Sequence, residues 1–369
     1  MQSGPIAYLS LEAPREGQAP FTHVNEIIAG LRRRGFTVDL FAPRYTNDAD
    51  SPGVVGRLLE YVLVQLRLLP RLRGYSLIYV RAHFMAWPVA MAARLLRIPV
   101  IHEVNGHYVD IMVTYPWTRR VGGLLRSLQR AQYRAAQALI TVTPQLRDWL
   151  RGEGCRQTIE VITNGANIEF FNPDRARRPG LPDRYVVFFG GFTRWQGIPT
   201  MLEAIGDPRW PKGVSLVMIG AGQLLPQVEE ASASSSNLCY LGQLPYKEVG
   251  AVVVGALAGL VTSSDRNATG VFPLKLFEVM ASGVPPIVVD SRGQADLVRA
   301  ENCGLVIPHE DPAALAMAVA EIARDPDKWR AAGRHAHRVV AEQHTWDRRA
   351  EETADLIRRV LAAVRENRV

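Results

Sequence analysis

The sequence predicts an α/β protein of two domains, each built on a parallel β-sheet with helices on both faces. Short apolar segments alternate with longer amphipathic ones along most of the chain, a pattern typical of βαβ units. Residues 172–184, rich in Pro, Arg and Gly, separate two such series. The 369 residues suffice for two domains of ordinary size. We therefore assign residues 1–172 to the first domain and 173–345 to the second.

The first series begins with an apolar strand over residues 6–10 and continues into a helix over residues 22–34. Apolar residues recur there at helical spacing, at Val24, Ile27, Ile28 and Leu31, and Gly35 ends the helix. Further apolar runs predict strands at 36–41, 77–80, 99–102 and 138–142.

The second series repeats this organisation. Its apolar runs predict strands at residues 185–189, 214–219, 238–241, 259–261, 286–289 and 304–307, and the chain from residue 311 onward reads as helical. Open parallel sheets bind ligands at the carboxyl ends of their strands, and domain interfaces favour pockets. We therefore expect a ligand such as a nucleotide in a cleft between the two domains.

The net charge of +7 lies wholly in the first half of the chain. Residues 1–170 hold 20 Arg and 13 acidic residues, a difference of +7, whereas the remainder holds 23 of each sign. A basic half fits an anionic partner such as a membrane surface, a phosphorylated acceptor or a nucleic acid. The equally weighted alternative is a solvated surface in which Arg is simply the preferred cation.

Two arginine-bearing apolar segments, residues 57–69 and 119–134, could lie on an anionic membrane. The same pattern describes core helices with charged ends, which is the interpretation we favour.

Cysteine usage and the N-terminus indicate a cytoplasmic protein. Cys155, Cys239 and Cys303 are far apart, odd in number and without a CxxC pair, which argues against a disulfide framework and a zinc site. The N-terminal residues do not resemble a signal peptide, and no apolar run is long enough to span a bilayer. Peripheral contact with the inner face of the membrane is the one membrane role left open.

The segment from residue 265 to residue 285 carries the clearest chemistry. A loop with Asp265, Asn267 and Thr269 leads into a helix in which Lys275 and Glu278, three residues apart, share one face. A lysine can meet phosphate charge, and a carboxylate can accept hydrogen bonds from vicinal ribose hydroxyls. The alternative is an ordinary surface Lys–Glu pair.

The stretch Pro273-Leu274-Lys275-Leu276-Phe277-Glu278, followed by Met280-Ala281-Ser282-Gly283-Val284-Pro285, resembles the donor-binding signature of retaining glycosyltransferases of family 4, which have the GT-B fold. Further segments that resemble the family follow its order along nearly the whole chain: Glu16-Gly17-Gln18, Val161-Ile162-Thr163-Asn164-Gly165-Ala166-Asn167, Phe189-Gly190-Gly191-Phe192-Thr193-Arg194-Trp195-Gln196-Gly197, Ile219-Gly220-Ala221-Gly222 and Leu241-Gly242-Gln243-Leu244.

The resemblance implies two Rossmann-like domains facing a cleft, with the donor in the second, the acceptor in the first, and a C-terminal helix, residues 346–369, crossing back to the first. It implies that Glu278 holds the donor ribose and that the backbone of Gly270, Val271 and Phe272 contacts the sugar and diphosphate. Donor contacts are expected as well from Gly17, Gly190, Gly191, Thr193, Gly222, Gln243, Leu244 and Lys275.

The implied activity is metal-independent, cofactor-free sugar transfer, with retention, from a nucleotide-diphosphate sugar to a glycan, lipid-linked or small-molecule acceptor. UDP is the commonest carrier in the family. The alternatives are a nucleotide-sugar epimerase of the same fold and a non-catalytic nucleotide-sugar-binding protein. We expect no nucleic-acid partner.

The chain departs from the family pattern at three positions. Gly191 and Gln196 stand where an Arg and a Lys are common, so two usual diphosphate cations are missing, and Arg194 and Lys275 are the nearest replacements. Gly270 stands where the signature usually carries another Glu, which Asp265 could replace.

The strand near residue 99 is followed by candidate sugar contacts in the first domain. Family members often carry a polar residue, commonly His, after this strand. His102 and Asn105 are therefore candidate catalytic residues together with Lys275 and Arg194, and Asn105 is closer to the family position. A structural histidine at a strand end is the alternative for His102.

Overall fold

The computed structural model describes residues 4–13, 15, 18–45, 53–109, 112, 116–262 and 270–366. Their strands form two six-stranded sheets, and all adjacent strands pair in parallel. The predicted fold class is thus confirmed.

The first sheet has the strand order β2-β1-β3-β4-β5-β6. Its strands are β1 (Ile6–Leu9), β2 (Val38–Phe41), β3 (Leu77–Arg81), β4 (Val100–Val104), β5 (Ala138–Thr141) and β6 (Thr158–Val161). Strand β6 was not predicted from the sequence. This edge strand is only partly buried and carries Thr158 and Glu160, so it has no continuous apolar run.

The helices of this half are α1 (Ala19–Arg33), α2 (Val54–Leu68), α3 (Trp87–Leu95), α4 (Gly122–Ala135) and α5 (Pro144–Gly152). Helix α1 begins three residues earlier than predicted, because Pro20 is accommodated in a first turn, where its missing N–H costs nothing.

Helix α2 corrects the interpretation of residues 57–69 as a core helix. Only Val64, Gln65 and Leu68 of α2 are buried. Seven large apolar side chains are 39% to 73% exposed: Val54, Val55, Leu58, Leu59, Val62, Leu63 and Leu66. Helix α4 does contribute to the core through Leu125 and Tyr133.

The second sheet has the order β12-β11-β10-β7-β8-β9. Its strands are β7 (Tyr185–Gly191), β8 (Ser215–Ala221), β9 (Leu238–Tyr240), β10 (Ala258–Val261), β11 (Pro286–Val289) and β12 (Leu305–Ile307). Helices α6 (Ile198–Ala204), α7 (Leu225–Ser234), α8 (Tyr246–Val253), α9 (Leu274–Ala281), α10 (Gln294–Glu301), α11 (Pro312–Arg324) and α12 (Pro326–Gln343) accompany them. The strand order reverses between β7 and β10, which makes their carboxyl ends the expected ligand position.

The last helix, α13 (Trp346–Glu366), packs on α1. Trp346 and Ile357 share an apolar cluster with Val24 and Ile27, and the Arg34 guanidinium lies 2.8 Å from the Asp347 carboxylate. Among the described helices, none combines the length and apolar character that crossing a membrane requires.

Candidate functional site

Lys275, in the first turn of α9, is buried where the order of the second sheet reverses. Its side chain reaches the end of β7: a Cβ on Gly190 would lie 3.2 Å from Nζ. The ammonium donates a hydrogen bond to Gln196 Oε1 at 2.6 Å and lies 3.9 Å from the ring centroid of Phe188. Burial lowers the pKa of Lys275 to about 7.

Glu278, one turn further along α9, is also buried, at 4% exposure against 7% for Lys275. Desolvation raises the pKa of Glu278 to about 7, opposed by the Tyr246 hydroxyl and by the charge of Lys275. The alternative of a surface Lys–Glu pair is therefore wrong. Lys275 and Glu278 are both buried and do not form a strong ion pair with each other. Perturbed pKa values such as theirs are common at functional sites.

The loop before α9 is held by backbone hydrogen bonds. The Val271 N–H donates to Arg292 O at 2.9 Å, and Val271 O accepts from the Gln294 N–H at 3.0 Å. Gly270 has a φ of 72°, and a Cβ there would lie 2.5 Å from Gln145 Oε1 of the first domain. The position that usually holds a Glu in the family is thus closed by Gln145 in this chain.

The loop after β7 brings Gln196 and Arg194 to different environments. Gln196 is buried, and its side-chain oxygen accepts a hydrogen bond from the Lys275 ammonium. It therefore holds the Lys275 cation in place and supplies no cation of its own. Arg194 is exposed, and no ion pair joins it to the described part of the chain. The Thr193 hydroxyl is buried and has no hydrogen-bond partner among the described residues, which leaves it able to bond a ligand.

The remaining donor candidates lie at neighbouring strand ends. Gly222 follows β8 and is exposed, as is Gln243 after β9. Leu244 packs against the apolar core. Gly17, Asp265, Asn267 and Thr269 lie outside the described residues, and among the described ones no group of three His, Cys, Asp or Glu is arranged for a metal ion.

The structure does not bring His102 to the cleft. Its side chain is fully buried and packs edge-on against Tyr133 of α4, with ring centroids 5.8 Å apart. Burial lowers its pKa to about 3, so it is a neutral core side chain. Asn105 is partly exposed, and its Nδ2 donates to Glu103 Oε1 at 2.7 Å.

Glu103, which points to the opposite side of β4 from His102, is the centre of a buried polar network that was not predicted from the sequence. Its carboxylate accepts from the Tyr79 hydroxyl at 2.6 Å and from Arg81 Nη1 at 2.8 Å. Arg81 also pairs with Glu12 at 2.5 Å. The cations and donors around Glu103 hold its pKa well below its usual range despite burial. A Glu inside an apolar strand was the available signal.

This network extends across the domains to the loop before α9. His23 Nε2 lies 2.8 Å from Glu103 Oε1, and His23 Nδ1 lies 2.9 Å from Asn164 Oδ1. Asn164 Nδ2 donates to the backbone carbonyl of Phe272 at 2.8 Å. An amide oxygen only accepts, so His23 donates from Nδ1 to Asn164. The Glu103 carboxylate also only accepts, so the contact at Nε2 requires a proton on that nitrogen as well. Glu103 is thereby linked through two side chains to the loop before α9.

Comparisons with known proteins find similarity to glycosyltransferases. The family model "Glycosyltransferase Family 4" matches residues 21–170, and "Glycosyl transferases group 1" matches residues 183–325. The chain is 26% identical over 220 residues to a GDP-mannose-dependent alpha-(1-6)-phosphatidylinositol monomannoside mannosyltransferase of Mycobacterium tuberculosis. That match covers 56% of this chain and 57% of the mannosyltransferase, so the chain spans just over half of that relative's length.

Other similarities span whole chains. The alpha-maltose-1-phosphate synthase of Mycolicibacterium smegmatis is 25% identical over 397 residues, covering 97% of this chain and all of that protein. The structure of a sucrose-phosphate synthase from Thermosynechococcus elongatus superposes with a TM-score of 0.79 at 22% identity, covering 98% of this chain and 100% of that one. The structure of Anabaena HepE in complex with UDP and glucose superposes with a TM-score of 0.72 at 16% identity. That match covers 96% of this chain and 99% of HepE.

Proposed function

Because this chain belongs to glycosyltransferase family 4 and has the GT-B fold, we propose that it transfers a sugar from a nucleoside-diphosphate sugar to an acceptor, with retention at the anomeric carbon. The observation that carries the proposal is the buried pair Lys275 and Glu278 at the carboxyl ends of β7 and β10. A ligand with both an anionic group and hydroxyls satisfies both side chains.

Lys275 is proposed to stabilise the diphosphate as it leaves. The bond from the anomeric carbon to the diphosphate oxygen breaks, and negative charge develops on that oxygen. A buried ammonium stabilises this charge more strongly than an exposed one, because little water screens it. The backbone N–H groups at the start of α9 face the same charge.

Glu278 is proposed to hold the donor ribose through its carboxylate. The acceptor is proposed to bind the first domain near Asn105, which Glu103 orients. We further propose that no metal ion or cofactor takes part. The acceptor hydroxyl attacks the anomeric carbon from the face that the diphosphate leaves and passes its proton to the departing diphosphate oxygen. The Anabaena neighbour with UDP-glucose supports a UDP-sugar, and the mannosyltransferase relative supports a GDP-sugar.

A donor panel tests the function. The protein is incubated with UDP-, GDP-, ADP- and dTDP-sugars without added metal, and the products are followed by mass spectrometry. We expect slow release of one nucleoside diphosphate with free sugar, lost in the Lys275→Met variant. Conversion of the donor into its epimer would contradict the proposal. So would calorimetry in which none of the four nucleotides binds.

The Glu278→Gln variant is expected to bind the donor nucleotide about 10- to 100-fold more weakly, because a hydrogen bond to a charged group contributes about 1.5–3 kcal/mol. Calorimetry measures the dissociation constants, and the 2′-deoxynucleotide provides the matched comparison. The wild type should lose affinity for the deoxy form, whereas the variant should bind both forms alike. If the wild type and the variant distinguish the nucleotide from its 2′-deoxy form to the same extent, Glu278 does not hold the ribose.

We also propose a cytoplasmic location and peripheral contact with an anionic membrane. They are supported by the basic first half and by the exposed apolar side of α2.

A further inference from the structure

A cavity of about 510 Å³ opens beside β2, the edge strand of the first sheet. Four arginines line it: Arg32, Arg44, Arg67 and Arg71. Arg32 belongs to α1, Arg67 to α2, and Arg71 to the 3-10 helix Leu69–Gly74 that follows α2. Three separate elements thus direct cations to one place.

Within the described part of the chain, these four guanidinium groups share the cavity with one lining carboxylate, that of Asp39. None of them forms an ion pair there. Arg32 and Arg67 donate to the backbone carbonyls of Val38 at 2.6 Å and of Ala42 at 2.8 Å. Asp39, the acidic residue in the lining, accepts from the Tyr75 hydroxyl at 2.9 Å. Clustered cations repel one another, and an oxyanion such as a phosphate, which matches the guanidinium fork, relieves that repulsion.

The surface next to the cavity is apolar. Helix α2 exposes side chains at helical spacing, including Val55, Leu59, Val62, Leu63 and Leu66, which are 43% to 73% exposed. Monomeric soluble proteins rarely expose so many neighbouring apolar side chains unless the surface binds something. The helix that carries this apolar face also carries Arg67 at its C-terminal end.

We propose that this surface docks on a membrane, with the arginine cavity binding the phosphate of an anionic lipid headgroup and the exposed face of α2 entering the interfacial region. A soluble phosphorylated ligand would use the arginines and leave the apolar face uncovered. An apolar protein partner would cover that face and leave the cations unpaired. An anionic bilayer satisfies both, since it presents phosphates beside hydrocarbon.

Vesicle sedimentation without donor or acceptor tests the proposal independently of glycosyl transfer. Vesicles of phosphatidylcholine alone are compared with vesicles containing phosphatidylglycerol as well. We expect the wild type to bind the anionic vesicles at least tenfold more tightly. Arg44→Gln with Arg71→Gln should weaken that binding about 10- to 30-fold, since each cation near such a surface contributes about 1 kcal/mol.

Matched variants separate this site from net charge and from general apolar exposure. Arg44 and Arg71 are exposed, so their replacement should leave the fold unchanged, which circular dichroism checks. Arg334→Gln with Arg338→Gln removes the same charge from α12 and should leave vesicle binding within twofold. Leu59→Ser with Leu63→Ser should weaken it at least tenfold.

Three results would overturn the proposal. The wild type could bind both vesicle types equally, or it could bind neither. The Arg44/Arg71 and Arg334/Arg338 double variants could also weaken vesicle binding to the same extent. Binding of inorganic phosphate or glycerol 3-phosphate without any vesicle binding would assign the cavity to a soluble phosphorylated ligand instead.

Discussion

Replacement of Lys275 by Met is expected to reduce kcat by about 100- to 1,000-fold, the size of effect seen when one preorganised donor to a developing charge is removed. The reason is the burial of the ammonium beside Gly190 and Phe188, where its interaction with diphosphate is poorly screened. Methionine has a similar shape and removes a charge that is costly to bury, so the melting temperature should not fall.

Proton uptake gives a second measurement of the same role. With a pKa of about 7, Lys275 is mostly neutral at pH 8 in the free protein, and diphosphate binding should raise its pKa and protonate it. Glu278, also with a pKa of about 7, is already mostly ionised at pH 8. Calorimetry in buffers of different ionisation enthalpy should therefore show uptake of up to one proton.

The Lys275→Met variant should lose this proton uptake, while Lys212→Met, at an exposed lysine of the same domain, should keep both uptake and turnover. Wild-type turnover in Lys275→Met would remove the lysine from the reaction. Unchanged proton uptake would show that another group is titrated.

Replacement of Glu103 by Gln is expected to lower the melting temperature by roughly 6–12 °C. Loss of one partner from a buried ion pair costs about 3 kcal/mol or more, and each kcal/mol corresponds to about 2–4 °C in a domain of this size. Glutamine keeps the shape of the side chain but leaves the buried Arg81 with Glu12 as its remaining carboxylate partner.

The pH dependence of the difference in melting temperature between the wild type and Glu103→Gln identifies its cause. The pKa of Glu103 is depressed in the folded state, so its stabilisation is present above the unfolded pKa near 4.5 and is lost as pH falls through the folded value. The gap between wild type and variant should therefore narrow on acidification. Asp327→Asn, at a highly exposed ion pair, should change the melting temperature by less than 2 °C. A comparably small change in Glu103→Gln would show that the network does not stabilise the domains.

The local pattern of the sequence determined the alternation of strands and helices and the position of the loop before α9. The strands β1, β3, β5 and β11 lie within a residue of their predicted positions, because buried parallel strands are continuous apolar runs and glycine or proline ends them. The helix that carries Lys275 and Glu278 could be recognised because both residues belong to the contiguous family-like motif of residues 273–285.

Only the tertiary structure decided what each polar side chain faces. Successive residues of a strand point to opposite faces of the sheet, so His102 lies beneath α4 while Glu103 joins Arg81 and His23, and sequence position alone does not say which face meets the cleft. Burial of Lys275 and exposure of α2 depend in the same way on which elements pack against them. Their charge state and availability follow from desolvation by distant parts of the chain, which no local pattern of residues contains.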